Sequence, residues 1–393
     1  MTIDLDRARR ETPGCAHVIH LNNAGAALMP QPVLNTVTAH LEREAMVGGY
    51  EAAAEAHEAI ERVYDSVARL LNCHRSEVAL VENATRAWDM AFYSIPFRRG
   101  DRILTSMAEY GSNYIAYLQV AQRHGVQVEP VPNDEHGQIS VEALRRMMDE
   151  KVRLIALTHV PTNGGLVNPA EAVGRVAREA GVLYLLDACQ SVGQMVVDVE
   201  ATGCDMLSVT GRKYLRGPRG TGFLYVRRSV LDGLEPPLLD LHAATWTAPD
   251  RYRMRDDARR FENWESNIAA KLGLGAAVDY ALGWGLGAIE QRVTGLAAHL
   301  RARLAEVPGV RVRDLGERRC GIVSFTVDSL PPDAVKAALG DRGINVSLSR
   351  ASSTLLEMQE RGLSEVVRAS VHYYNTEEEI ERLVAELAAV IQA

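Results

Sequence analysis

"LLDACQSVGQMVVDVEATGCDMLSVTGRKYLRGPRGTGFLYV", residues 185–226, contains three apolar runs separated by two breaks. The first run ends on Asp187. The second, "DMLSVTG", delivers the chain to Arg212 and Lys213, and the third, "GFLYV", leads away after a turn of glycine, proline and arginine. Short runs that are apolar on both faces suit strands covered on both sides, the pattern of a mainly parallel sheet. Open sheets of that kind bind ligands at the carboxyl ends of their strands, which is where Asp187 and Lys213 stand.

Runs of the same character lie upstream: "EVALVEN" (77–83), "DRILTSM" (101–107) and "VRLIALTH" (152–159). Between them "NYIAYLQVAQRHG", "SVEALRRMMDE" and "NPAEAVGRVAREAG" repeat their apolar residues at three- and four-residue steps, as helices do. The alternation predicts an α/β fold, with residues 21–284 as a large domain whose central sheet lies between helices. From residue 285 the pattern changes to a long amphipathic helix, short strands such as "GIVSFTVD" and "EVVRASVHYY", and a closing helix. Residues 285–393 therefore read as a smaller α+β domain, with residues 1–20 an N-terminal segment packing on it. The closing helix starts at Thr376, and Glu379 three residues on fits a capping box.

The chain has 393 residues, 47% hydrophobic and 24% charged, with a formal net charge of -8. No basic run is long enough for a nucleic-acid or acidic-membrane surface, so the expected partner is a small molecule or another subunit. The charged N-terminus has no apolar core like that of a signal peptide, and no stretch of about 18 uninterrupted apolar residues occurs; a cytoplasmic location is expected. Five scattered cysteines without a paired or histidine-flanked spacing read as free thiols, with no metal site. Lysine occurs only at positions 151, 213, 271 and 336 among 43 basic residues. A lysine in a glycine-flanked turn is then a poor candidate for an incidental surface charge.

Other polar residues gather at the ends of the parallel runs. Gln190 follows Asp187, Thr162 and Asn163 follow "ALTHVP", and Asn83, Ala84 and Thr85 open a helix after "EVALVE". Each alone suits a helix cap or a surface residue. Together they match what pyridoxal phosphate (PLP) requires: a lysine amine, a carboxylate beside the pyridine nitrogen, and a helix N-terminus for the phosphate. Arg212 can add a fixed positive charge there and Thr210 a hydroxyl.

The ordered segments "HLNNAGAALMP", "ENATRAW", "AEYGSNYIAY", "THVPTNGG", residues 185–226 and "VRASVHYYNTEEEIERLV" resemble the class V aminotransferase family of fold-type I PLP enzymes, which includes cysteine desulfurases and selenocysteine lyases. The resemblance implies that Lys213 is the Schiff-base lysine and proton shuttle, Asp187 the partner of the pyridine nitrogen, and Gln190 the donor to the ring 3-hydroxyl. It places Tyr110 on the ring, Ala84, Thr85, Thr210 and Arg212 at the phosphate, Thr162 or Asn163 beside the cofactor, and Arg368 on the substrate carboxylate. Arg350 and Asn23 are further candidates for substrate contact. The family also implies a homodimer with sites at the subunit interface.

Departures from the pattern bear on the reaction. Desulfurases of the family carry a nucleophilic cysteine shortly before the carboxylate-binding arginine; "SRASSTLLEMQERGLSEVVRAS" (349–370) has none. Tyr110 replaces their stacking histidine, and "RFENWESNIAA" (260–270) replaces a Gly-Thr turn that reaches the neighbouring subunit's phosphate. Trp264 and Glu265 would there pack an interface or shape a substrate pocket. The leading expectation is a carbon-sulfur lyase acting by β-elimination on an S-substituted cysteine. Alternatives are a class V aminotransferase or decarboxylating deaminase, an amino-acid epimerase and, contrary to the intact lysine, a catalytically dead scaffold.

Overall fold

The computed structural model describes residues 3–392. All the upstream runs and those of residues 185–226 are strands of one seven-stranded sheet, in the spatial order 78–81, 222–226, 206–210, 183–187, 152–158, 102–106 and 127–131. Only Gly222–Val226 runs against its neighbours; the remaining pairs are parallel. The central strands are apolar throughout because helices cover both faces. Gln127–Val131 is an edge strand that the pattern does not announce: "QVEPV" carries a proline, and only Val131 is buried. Proline is tolerated there because an edge strand has one unpaired side.

Helices Ala84–Phe92, Gly111–His124 and Ala170–Ala180 follow the strands that carry the predicted site. His57–Leu71 buries Val63, Tyr64, Val67, Leu70 and Leu71 along one stripe and packs on Ile268–Trp284. A second, antiparallel sheet of four strands is ordered 310–312, 322–327, 365–370 and 347–350, with helices Leu286–Ala305 and Pro332–Gly340 against it and Glu377–Gln392 packed on those two helices. The last helix opens with the reciprocal bonds of a capping box, Glu379 N to Thr376 Oγ1 at 3.1 Å and Thr376 N to Glu379 Oε2 at 3.3 Å. The N-terminal segment joins this part of the chain: Ile19–His20 pairs in parallel with Ile344–Asn345, and Arg9 meets Glu379 at 2.8 Å. Among the described residues no single helix is long and apolar enough to cross a membrane.

One glycine supports the lysine turn from behind. Gly193 has φ +98°, and a Cβ on it would lie 2.4 Å from the backbone of Tyr214. Gly193→Ala combines a left-handed alanine with a backbone clash, so it is expected to cost about 2 kcal/mol or more. The check is a lower midpoint in denaturant titration, together with weaker cofactor retention because Tyr214 follows Lys213.

Candidate active site

The strand ends converge on one cavity of about 410 Å³. Ala84, Thr85, Tyr110, Thr162, Asp187, Gln190, Thr210, Arg212 and Lys213, nine positions from five separate loops, all line it. Asn83, Asn113, Thr158, Val160 and Cys189 complete the wall.

Helix Ala84–Phe92 forms one end. Asn83 is extended, and its Oδ1 accepts the Arg86 N–H at 2.9 Å, which fixes the first turn. The earlier N–H groups of the helix have no partner within it, and Ala84 and Thr85 line the cavity, an arrangement that suits an anion. Gly222 permits this arrangement, because a Cβ there would sit 2.5 Å from the Val209 carbonyl oxygen and 2.9 Å from the Asn83 carbonyl carbon. Thr210 and Arg212 reach the same cavity from the adjacent strand end.

Asp187 ends strand Leu183–Asp187 and is 6% exposed. Its Oδ1 accepts the Cys189 N–H at 2.9 Å and its Oδ2 an Asn113 amide hydrogen at 3.1 Å. Burial pushes its carboxyl above the usual carboxylate range, while those two donors and the Lys213 charge pull it back. Gln190 donates to Ala24 O at 3.2 Å and to Thr162 Oγ1 at 3.4 Å; its buried Oε1 has no partner. That orphaned atom in the cavity wall marks a place for a polar ligand.

Lys213 follows the sharp turn after Thr210. Burial lowers its ammonium below the ordinary lysine value; Cys189 and Asp187 oppose the shift, and Arg212 and Arg368 reinforce it. Arg368, on strand Glu365–Ser370, is 6% exposed and held by Ser347 Oγ at 3.0 Å, Thr162 Oγ1 at 2.7 Å and Thr162 O at 2.9 Å. Burial, with Arg212 adding to it, brings its guanidinium down to about 10. Among the described residues no carboxylate pairs with it, so this buried cation stands unneutralised beside the cavity.

Two substrate candidates lie elsewhere. Arg350 does not enter the cavity: its side chain is 72% exposed and pairs with Glu365 at 3.0 Å. Asn23 is fully buried, but Ser370 O, His20 O, Asn375 and Tyr374 occupy its amide, leaving it a tie between the N-terminal segment and residues 370–375. Asn163 binds Thr354 Oγ1 at 2.6 Å and pins the segment after Arg350. Asn263 accepts from Arg86 at 2.8 Å, whereas Trp264, 60% exposed, and Glu265 line a separate surface hollow with Tyr50 and His57.

Four residues escaped the sequence reading. Asn113 stands on the wall beside Asp187 and Glu109 is buried behind it, and the signal for both is the polar spacing within "AEYGSN". Cys189 puts a thiol in the cavity between Asp187 and Gln190, away from the segment before Arg368. Burial raises this thiol and the Lys213 ammonium opposes the rise. Arg216, fully buried at φ +62°, donates to Leu28 O at 2.8 Å, Tyr373 Oη at 2.6 Å and Thr12 Oγ1 at 2.5 Å. Tyr374 lies 4.5 Å from its guanidinium carbon, a cation–π contact.

An amine on a turn, a buried carboxylate, a carboxamide oxygen without a partner and an open helix N-terminus fit the aldehyde, ring nitrogen, ring hydroxyl and phosphate of PLP. Residues 19–383 match the family described as aminotransferase class-V. A probable cysteine desulfurase of Methanothermobacter thermautotrophicus is 31% identical over 381 residues, 95% of each chain. The apo structure of the cysteine desulfurase from Thermococcus onnurineus NA1 superposes with a TM-score of 0.93 at 28% identity, over 100% of this chain and 99% of that one. The cystine C-S lyase C-DES, solved with its reaction product cysteine persulfide, gives a TM-score of 0.86 at 25% identity, over 96% and 99% of the two chains. A lysine mutant of C-DES carries glycine covalently linked to its PLP cofactor, with a TM-score of 0.87 at 25% identity over 97% and 98%. The chain belongs to the class V aminotransferase family and is a PLP-dependent enzyme of the fold-type I architecture.

Proposed function

We propose that the protein is a carbon-sulfur lyase that eliminates the thiol from an S-substituted cysteine and leaves pyruvate and ammonia. The observation that carries this reading is the segment Arg350–Thr354. It holds Ser352 and Ser353, no cysteine, and is tied down by the Asn163–Thr354 bond and by Thr354 to Glu357 at 3.0 Å. The backbone of Ser352 also abuts Gly111, the first residue of the helix after Tyr110. A pinned segment without a thiol cannot carry sulfur away, so sulfur leaves with the product. The likeness to C-DES supports this choice.

When bound, PLP makes the bonds at the substrate Cα labile by accepting their electrons. Lys213, with its lowered ammonium, holds the cofactor and moves the proton at Cα. Asp187 keeps the ring nitrogen protonated. The unneutralised Arg368 grips the substrate carboxylate as a planar fork, and Thr162, bonded to both Arg368 and Gln190, ties the substrate end of the cavity to the cofactor end. The helix N-terminus at Ala84–Thr85, with Thr210 and Arg212, holds the phosphate. We assign residues 21–284 to the cofactor-binding domain and 285–393, joined by the first 20 residues, to the domain that supplies Arg368. Exposed apolar side chains at Met46, Tyr50 and Trp264 support pairing of two copies as a homodimer.

Cys189 gives a second reading. Sulfur passing to this thiol would make the protein a desulfurase by another route, in keeping with the relatives so named. Incubation with cystine, S-substituted cysteines and free cysteine separates the two. The lyase yields pyruvate and ammonia in equal amounts without an added keto acid, and Cys189→Ala keeps that yield. Alanine formation with a persulfide on Cys189, or conversion of the cofactor to its amine form reversed by a keto acid, would reject elimination.

A further inference from the structure

A second carboxylate stands behind Asp187. Glu109 is 2% exposed and accepts four hydrogen bonds: Tyr110 N at 2.7 Å, Asn113 Nδ2 at 3.0 Å, the Thr105 hydroxyl at 2.8 Å and the Thr158 hydroxyl. Thr158 Oγ1 receives the Tyr110 N–H at 3.4 Å, which leaves its own hydrogen to point at Glu109. The Asn113 nitrogen that bonds Glu109 also donates to Asp187 Oδ2 at 3.1 Å. One primary amide thus bridges the two carboxyl groups, one hydrogen to each.

This donor set suits an ionised Glu109, because a carboxylate can accept all four bonds, whereas a carboxylic acid would bring a further proton into a ring of donors. Burial, with the Asp187 charge adding to it, leaves Glu109 above the ordinary carboxylate value, and the Thr158, Thr105 and Asn113 donors pull against that rise. Its charged neighbour is Asp187, and among the described residues no basic side chain forms an ion pair with it. The Tyr117 phenol also lies against Glu109 and is held neutral, pushed well above its ordinary value by burial and by the Glu109 charge. Asp187 in turn faces Lys213 on the cavity side, with the Cys189 thiol beside both.

We propose that Glu109 and Asn113 are positioning residues for the cofactor: Asn113 fixes the Asp187 oxygen that does not bond Cys189, and the Glu109 charge behind it strengthens the hold of Asp187 on the pyridine proton. The inference rests on the reading that Asp187 faces the pyridine nitrogen. An anion behind an anion raises the affinity of the front group for a proton, and the effect is large where water is excluded. Asp187 and the ring nitrogen then titrate as a pair whose midpoint depends on a residue that touches neither cofactor nor substrate.

The test monitors the cofactor and not turnover. The holoenzyme is reconstituted with PLP labelled with 15N in the ring, and the nitrogen shift and visible spectrum are titrated against pH. Glu109→Gln, which keeps the shape and removes the charge, is expected to lower the protonation midpoint by on the order of one unit. Glu109→Asp should return part of the shift, and Asn113→Ala, which removes a donor that pulls the Asp187 carboxyl down, should move the midpoint upward, which covers the case in which Glu109→Gln does not fold. Asp187→Asn is the reference. If it abolishes ring protonation while Glu109→Gln and Asn113→Ala titrate as wild type, the inference is overturned and the role of Asp187 stands. If Asp187→Asn itself leaves the ring nitrogen unchanged, the reading of Asp187 fails and takes the inference with it.

Discussion

Lys213→Ala protein will fold, bind pyridoxal phosphate only reversibly, and turn over substrate at least about 10³-fold more slowly than wild type. The expectation comes from position and charge. Lys213 is the lysine that lines the cavity, and burial, reinforced by Arg212 and Arg368, lowers its ammonium. A lowered lysine releases its proton as pH rises through a value below the ordinary one, so more of it is the reactive free amine near neutrality. Borohydride treatment and then peptide mass mapping check the covalent bond: wild type carries the cofactor on the 211–216 turn, and Lys213→Ala carries none. Lys213→Arg keeps the charge without a usable amine and should be equally inactive. A variant that still held the cofactor through a reducible bond would show that another residue carries it.

Arg368→Ala is expected to lower kcat/KM by roughly 10²-fold or more while the cofactor spectrum remains, since a buried charge-assisted pair is worth about 2–5 kcal/mol. Among the described residues Arg368 has no carboxylate partner, so the substrate would supply the missing anion. Arg368→Lys keeps a cation but not the fork and should recover only part of the loss. Substrate-induced changes in the cofactor spectrum, titrated with amino acids of unlike side chain, provide the check. Equal weakening for all of them identifies carboxylate binding, and an unchanged affinity would remove Arg368 from the site.

The strand ends were legible in the sequence because parallel strands buried on both faces announce themselves as apolar runs, and open sheets of this kind bind ligands just past the ends of those runs. Asp187, Lys213, Thr162 and Ala84 were placed in this way and now line one cavity. Arg350 and Asn23 illustrate what such a reading lacks. Both lie close in sequence or space to true wall residues, but hydrogen-bond partners distant in sequence decide where a side chain points: Glu365 draws Arg350 outward, and Ser370 and Tyr374 enclose Asn23. Glu109 was missed for the opposite reason. A glutamate before a helix reads as a solvated residue until Thr105 and Thr158, from two other strands, close around it.

Arg216 bears on the order in which the protein is made. Its guanidinium joins Thr12, 204 residues before it, to Tyr373, 157 residues after it, and all three meet in the turn that begins with Lys213. A left-handed arginine buried without these partners would be a strained, unsatisfied cation, so the turn has no stable form in a partial chain. Contacts this distant close late in folding. A chain truncated before Tyr373 is therefore expected to leave the lysine turn open and to retain no cofactor, which cofactor titration of the truncated protein would check.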